Sequence, residues 1–383
     1  MATLTDVAEG AGVSVSTASF VLNPGRTGKR VSPKLAARVR EVARELGYVP
    51  NYHAQAMKLG RAHNIGVAIH AGSRTLPVPL ERLGHSYFGA LISGIDAAAA
   101  ARGYAMTLLS STPEMLAAER GFQALRQRRM DGIIIPASEF PPGAAPELDA
   151  FTDAPVVLIE YEGDTEYAVV DWDERAGVGK AVRHLAELGH KELLWLGCQR
   201  GDMRGSPAAR ETLFVQSVWD AGLRGASCHI DDYDDGAAKV GYEEWEMDSA
   251  AEAVARLLRR QPSASFTAVV CYNDAVAIGA CKALMQAGLR IPQDISVLGI
   301  DDVHAAFTIP KLTTVSHMLS EMGSRASELV VEAIEDPPSR ANLHGCRTVI
   351  EPKLIVREST GPANPRRRKQ GTRHVKSTRV VRR

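Results

Sequence analysis

Three kinds of chemistry can be sought in the side chains of this chain. The first is phosphate binding. Arg26, Lys29 and Arg30 fall in the glycine- and proline-containing loop NPGRTGKRV, and the segment 362–383 carries nine Lys/Arg and no acid. Such clusters hold phosphates without reading base sequence. The second is hydrogen bonding to a small polar molecule. Asn273-Asp274 and Asp301-Asp302 each directly follow a short apolar run, where a parallel sheet opens into a crevice. Tyr233 is a further candidate for lining such a crevice.

The third is catalysis, and the motifs for it are missing. Gly177-Val178-Gly179-Lys180 has the flavour of a phosphate loop. Glu174 stands where that loop needs another glycine, and Ala181 where it needs Ser or Thr. No GxSxG elbow or HExxH pair occurs. The run 231–248 holds eight acids and one lysine but no calcium-loop spacing, so it reads as a solvated loop and helix start. The five cysteines show no CxxC spacing and read as reduced thiols, not zinc ligands. No enzyme, metal or cofactor is expected.

These groups need elements to position them. At the N-terminus, TDVAEGAGVSVSTASFVLN reads as two short helices around a turn at Gly12, a residue without a Cβ. Thr5 can cap the first helix, and Ser14 or Ser16 the second. Val7, Val13, Ala18 and Val21 would form the core between them, leaving Val15, Ser16, Thr17 and Phe20 outside. Such a unit is either a plain helical hairpin or a helix-turn-helix with a major-groove recognition helix. A third helix begins at Ser32-Pro33, N-cap then N1 proline. It carries Leu35, Val39, Val42 and Leu46 at helical spacing and stops at Gly47.

From Ile65 onwards, short apolar strands alternate with helices: strands at 65–69, 105–109, 132–135, 156–159, 193–196, 268–271 and 295–300. That pattern predicts parallel sheets covered on both faces. Nearly 300 residues is long for one such sheet, so two lobes are expected. Charge is segregated as well: +5 over residues 1–61, +9 over 362–383 and −14 between, on a net charge of zero. Basic ends on an acidic body suit a polyanionic partner. No apolar run reaches membrane-spanning length, and MATLTDVAEG lacks a signal peptide's basic start and apolar centre. A cytoplasmic, nucleoid-associated location is expected.

Taken in order, TDVAEGAGVSVSTASFVLN, GYVPN, the hinge-like AQAMKLGRA and NIGVAI resemble the LacI/GalR family of bacterial transcriptional regulators. DERAG, LGHKEL, CYNDAVAIGA, VLGIDDV, LTTV and PKLIVREST carry the resemblance on to Thr360. It implies a helix-turn-helix domain at 1–50, a hinge at 51–61, and a two-lobed core like periplasmic sugar-binding proteins at 62–360. The segment 361–383 is left as a basic tail, too poor in apolar residues to fold alone.

The resemblance further implies DNA contacts from Thr5, Val15, Ser16, Thr17, Ser19 and Phe20, from the loop cations Arg26, Lys29 and Arg30, and from the hinge residues Ala54, Met57 and Lys58. In the family, the residues matching Asp274 and Arg210 contact the effector, and Tyr87-Phe88 occupy the place of an aromatic pair lining the cleft. Asn273, Asp301 and Tyr233 complete the expected effector set. Two residues depart from the family. Phe20 stands where many relatives carry an arginine that reads guanine, and phenylalanine cannot make that bidentate contact. Met57 replaces the usual leucine wedge, and methionine is an acceptable one.

The implied function is that of a homodimeric repressor, or a higher oligomer, on double-stranded operator DNA, controlled by a small sugar-like or nucleobase-like effector between the lobes. A solute-binding protein is disfavoured by the N-terminal unit, and an enzyme by the missing nucleophile and cofactor motifs.

Overall fold

The computed structural model describes residues 2–22, 31–51, 60–69, 86–110, 117–137, 154–161, 163–198, 207–230, 242–261 and 265–365. The chain divides into two compact units, residues 1–63 and 64–383.

The first unit is three helices, α1 (Leu4–Ala11), α2 (Val15–Leu22) and α3 (Pro33–Glu45). Thr3, not Thr5, caps α1. Its hydroxyl accepts from the Asp6 amide, and the Asp6 carboxylate accepts from the Thr3 amide, closing a reciprocal capping box. The turn to α2 runs through Gly12 at φ 67°, a left-handed conformation that costs glycine nothing. Ser14 Oγ accepts from Thr17 N at 3.2 Å and starts α2. Ser32 accepts from Leu35 N and starts α3, with Pro33 in its first turn. Val7, Ala8, Ala11, Ala18, Val39 and Ala43 form the core, flanked by the partly buried Val13 and Val21. Leu46 stays largely exposed, so it is not a core position.

The second unit contains two six-stranded sheets. One has the order β11-β5-β4-β3-β1-β2 and is parallel throughout: β1 is Asn64–Ile69, β2 Ala105–Ser110, β3 Gly132–Pro136, β4 Val156–Ile159, β5 Ala168–Trp172 and β11 Arg347–Ile350. The other has the order β12-β10-β9-β8-β6-β7: β6 is Glu192–Gly197, β7 Arg224–His229, β8 Ala268–Cys271, β9 Ser296–Asp301, β10 Thr313–Ser316 and β12 Lys353–Ile355. Only β12 runs antiparallel there. Central strands are buried end to end because helices cover both faces, as continuous apolar runs require.

The chain crosses between the sheets three times. It leaves β5 and enters α6 (Glu174–Glu187) at Asp173, leaves β10 for α10 (Leu319–Glu335) at His317-Met318, and passes from β11 to β12 at Glu351-Pro352. Helix α10 returns to the first sheet and packs on α4 (Ser86–Ala101). A Cβ at Gly94 would lie 2.0 Å from Ser320 O and one at Gly323 2.2 Å from Leu91 O, so the two helices meet backbone to backbone. Among the described residues no helix is long and apolar enough to cross a membrane.

Candidate functional site

Every parallel strand delivers its last residue to the same end of its sheet, and the second unit gathers its polar side chains there. From the first sheet come Glu160, directly after β4, and Trp172, the last residue of β5. From the second come Tyr272-Asn273 after β8, Asp301 ending β9 and His317 after β10. Tyr87 lies in the first turn of α4, Glu174 opens α6, and Arg210 lies in the first turn of α7 (Pro207–Asp220).

Arg210 is the hub. Its Nε donates to Glu174 Oε1 at 2.6 Å, and one Nη donates to the Tyr272 carbonyl at 3.0 Å and lies 3.8 Å from Asp301 Oδ1. The other Nη lies 3.5 Å from His317 Nε2. The guanidinium carbon stands 4.8 Å from the Tyr272 ring centre and 5.6 Å from that of Trp172. Trp172 stacks on His317 with centroids 3.9 Å apart, which joins two of the crossings. His317 Nε2 lies 3.2 Å from Asp301 Oδ1, and Nδ1 lies 3.6 Å from Glu160 Oε1. Tyr87 donates its hydroxyl to Glu160 Oε2.

Burial sets the charges. It raises Glu160 to about 7, against the Tyr87 hydrogen bond and the Arg210 charge. It raises Asp301 strongly, with the Arg210 charge opposing. Burial and then Arg210 push His317 well below its ordinary range, so the ring is neutral.

The structure thus brings Tyr87, Arg210 and Asp301 together. It uses the other expected effector residues differently. Asp274 is fully buried: Oδ1 accepts from Thr314 Oγ1 at 2.7 Å and Oδ2 from Val303 N at 3.0 Å. Gly299 is needed beside it, since a Cβ there would lie 2.4 Å from Oδ1. Asn273 caps α9 (Asp274–Gln286) through Val276 N and donates its amide to both oxygens of Glu246. Phe88 is buried in the hydrophobic core, with Tyr87 edge-on to it at 5.2 Å. Tyr233 lies outside the described residues.

Sequence reasoning missed Glu160, Glu174, Tyr272 and His317; Trp172 is both buried in the core and part of this cluster. The rule that strand ends carry the site would have found Glu160 and Trp172, had it been applied to every strand. Trp219 is 79% exposed and stands outside the core.

On the first unit, Thr5, Val15 and Ser16 are exposed, and Thr17 and Phe20 half-buried. Ser19 is turned inward at 5% exposure, because it follows Ala18 on the side of α2 that packs inward, and so it does not face solvent with them. Arg26, Lys29, Arg30, Ala54, Met57 and Lys58 lie outside the described residues.

Comparison with known proteins bears on both units. Residues 3–51 match the family model described as bacterial regulatory proteins, lacI family, and residues 182–360 match the periplasmic binding protein-like domain. The chain belongs to the LacI family. It is a DNA-binding transcription regulator and not an enzyme. It is 29% identical to the ribose operon repressor of Escherichia coli K12 over 368 residues, which covers 94% of this chain and all of that one. It is also 29% identical to the HTH-type transcriptional repressor PurR of Pasteurella multocida over 364 residues, 94% of this chain and 98% of that one. The fold matches that of the lac repressor dimer bound to operator and the anti-inducer ONPF. The TM-score is 0.72 at 24% identity, over 94% of this chain and 99% of that one.

Proposed function

We propose that this regulator is a homodimeric repressor whose grip on operator DNA is set by a small hydrophilic ring compound, a sugar or a nucleobase, bound between its two sheets. The Arg210 cluster carries the reading. Its members come from both sheets and from two of the three crossings, so a molecule seated there touches the segments on which the lobes turn. A guanidinium fork, carboxylates and aromatic faces suit a compact polar ring. The name of the ribose operon repressor is in keeping with a sugar.

On the DNA side, Val15, Ser16, Thr17 and Phe20 on α2 would enter the major groove, with Thr5 on the flanking backbone. The loop cations would hold phosphates, and Ala54, Met57 and Lys58 would order at the operator centre, with Met57 as the apolar wedge. The effector would act by binding one arrangement of the lobes better than the other, as any coupling of two sites requires.

The test is genomic footprinting to find bound sites, then fluorescence anisotropy of one such site with and without candidate sugars and nucleobases. A compound that shifts operator affinity in the wild type but not in Arg210→Lys supports the reading. Specific binding that no small molecule alters would overturn the effector half. Failure to select any DNA sequence would overturn the whole.

A further inference from the structure

Two polar atoms in the cluster have no hydrogen bond: Glu160 Oε1 and His317 Nδ1, both buried and 3.6 Å apart. Because His317 Nε2 accepts from Arg210, the ring's one proton sits on Nδ1 and points at Glu160 across a gap too long to be a hydrogen bond. Beyond the ring, Asp301 Oδ1 faces Nε2 at 3.2 Å. Two carboxyl groups therefore flank one neutral imidazole. Among the described residues, the only Lys or Arg within ion-pair distance of either is Arg210, 3.8 Å from Asp301 and already bonded to Glu174. Glu160 and Asp301 are also held at φ +54° and +124°, conformations that non-glycine residues rarely adopt. The walls are aromatic: Tyr87 on the Glu160 side, and Trp172 and Tyr272 on the Arg210 side.

We propose that the effector carries a protonated amine, which pairs with Glu160 and is stabilised by Asp301 and the aromatic walls, so that the ligand class is an amino sugar or amino polyol. This deepens the effector reading above and rests on it. A hydroxyl could donate to Glu160 Oε1, but it would leave two buried carboxyl groups facing one shared guanidinium. An ammonium supplies both the missing donor and the missing charge, and aromatic faces favour cations. The free site meets the same deficit by retaining protons, since burial lifts both carboxyl groups above their ordinary range. The other charged groups facing Glu160 are Asp171, Glu174 and Arg210.

The experiment uses the full-length protein and matched pairs that differ by one amine for one hydroxyl: D-glucosamine and D-glucose, D-galactosamine and D-galactose, glucamine and D-glucitol. Binding is read by calorimetry at about pH 7 in two buffers of different ionisation heat, and operator affinity is followed in parallel. At least one amine should bind about tenfold tighter than its hydroxyl partner and release protons as it does so. Glu160→Gln should bring the pair to parity, with its melting curve as the folding control. The wild-type contrast within each pair stands without the variant. Hydroxyl compounds bound as well as the amines, or no amine bound at all, would overturn the proposal. A hydroxyl compound that shifts operator affinity would overturn the amine alone and leave the effector reading standing. An amine that binds tightly but never alters operator affinity would support the amine and sink the effector reading.

Discussion

Arg210 Nε and Glu174 Oε1 meet at 2.6 Å with both side chains almost wholly out of solvent. A buried pair of this kind is weak evidence for net stability, but breaking it strands a charge. Arg210→Ala should therefore cost about 3–5 kcal/mol, beyond any effect on ligand binding. Arg210→Met with Glu174→Gln should recover much of the loss. All four tryptophans lie in the second unit, so denaturant unfolding followed by tryptophan fluorescence reports on that unit alone. A cost below about 1 kcal/mol would mean that water reaches the pair.

Stability should fall as pH rises above neutrality. Burial raises Glu160 from 4.5 to about 7, Asp274 from 3.8 to about 6, and Asp301 well above its ordinary 3.8. A carboxyl group whose folded pKa is raised binds more protons folded than unfolded, so it loses stability as pH climbs through the folded value. Burial lowers His184, His190 and His317, and that works the other way, but only below the ordinary histidine value of 6.5. Below 6.5 the two sets oppose each other; above it Glu160 and His304, which its hydrogen bond to Glu243 raises, both lose stability as pH climbs, and raised Asp301 acts in the same sense. Melting temperature should decline from about pH 6.5 to about pH 8, and Glu160→Gln should remove about 1 kcal/mol of that decline. An unchanged profile in that variant would place the titration elsewhere.

Much of this was legible in the sequence, and what was not has identifiable causes. Buried strands such as Val156–Ile159 and Ala268–Cys271 announce themselves as unbroken apolar runs. Strand β7, RGASCH, does not: it lies at a sheet edge, is largely exposed, and has almost nothing apolar to alternate. Helix α10 is absent from the sequence reading, although Leu319, Met322, Ala326, Leu329, Val330 and Ala333 recur at helical spacing and are buried. Asp274 could be placed after a strand, but not its direction. Whether a carboxylate faces a cleft or turns back to Thr314 and Val303 depends on residues 29 and 40 positions away. Glu160 and His317 come together only through the folding of both sheets, at a separation of 157 residues that no local pattern encodes.

On α2, Ser16 and Phe20 are not shut inside the helical core, whereas Ser19 is buried. Substituting Ser16 or Phe20 should change which sequences are recovered from a random DNA library. Phe20→Arg should gain a preference for guanine at one position in each half-site, because arginine supplies the bidentate donor that phenylalanine lacks. Ser19→Ala should alter affinity without altering the recovered sequence. An unchanged consensus in Phe20→Arg would remove that residue from the groove.

Phe307 and Ile309 are 88% and 89% exposed, and the partly exposed Met285 lines a groove with them. Large apolar side chains clustered on a surface mark a contact, and in the proposed homodimer this one would meet the second copy. Phe307→Asp with Ile309→Asp should shift sedimentation towards the monomer. Affinity for a two-half-site operator should fall far more than affinity for a single half-site, since tethering is what is lost. A variant that remains dimeric would place the subunit contact on another face.

The segment 362–383 lies beyond the last residues matched to the family and carries nine Lys/Arg without an acid. If it touches phosphates outside the operator, each phosphate neutralised should steepen the dependence of log affinity on log salt by about 0.9. A chain ending at Pro365 should then bind more weakly at low salt and show a shallower slope, since all nine Lys/Arg lie after it. Its preferred sequence should not change, because arginine and lysine on phosphates position a protein without specifying bases. Shortening the chain beyond that point would confuse the result. Ser359 donates to Val297 O, His184 meets Thr360 Oγ1, and Gly361 N donates to Ser296 Oγ, so these residues belong to the fold. The measurement is a salt titration of full-length and truncated protein on one operator; equal slopes would show that the tail stays off DNA.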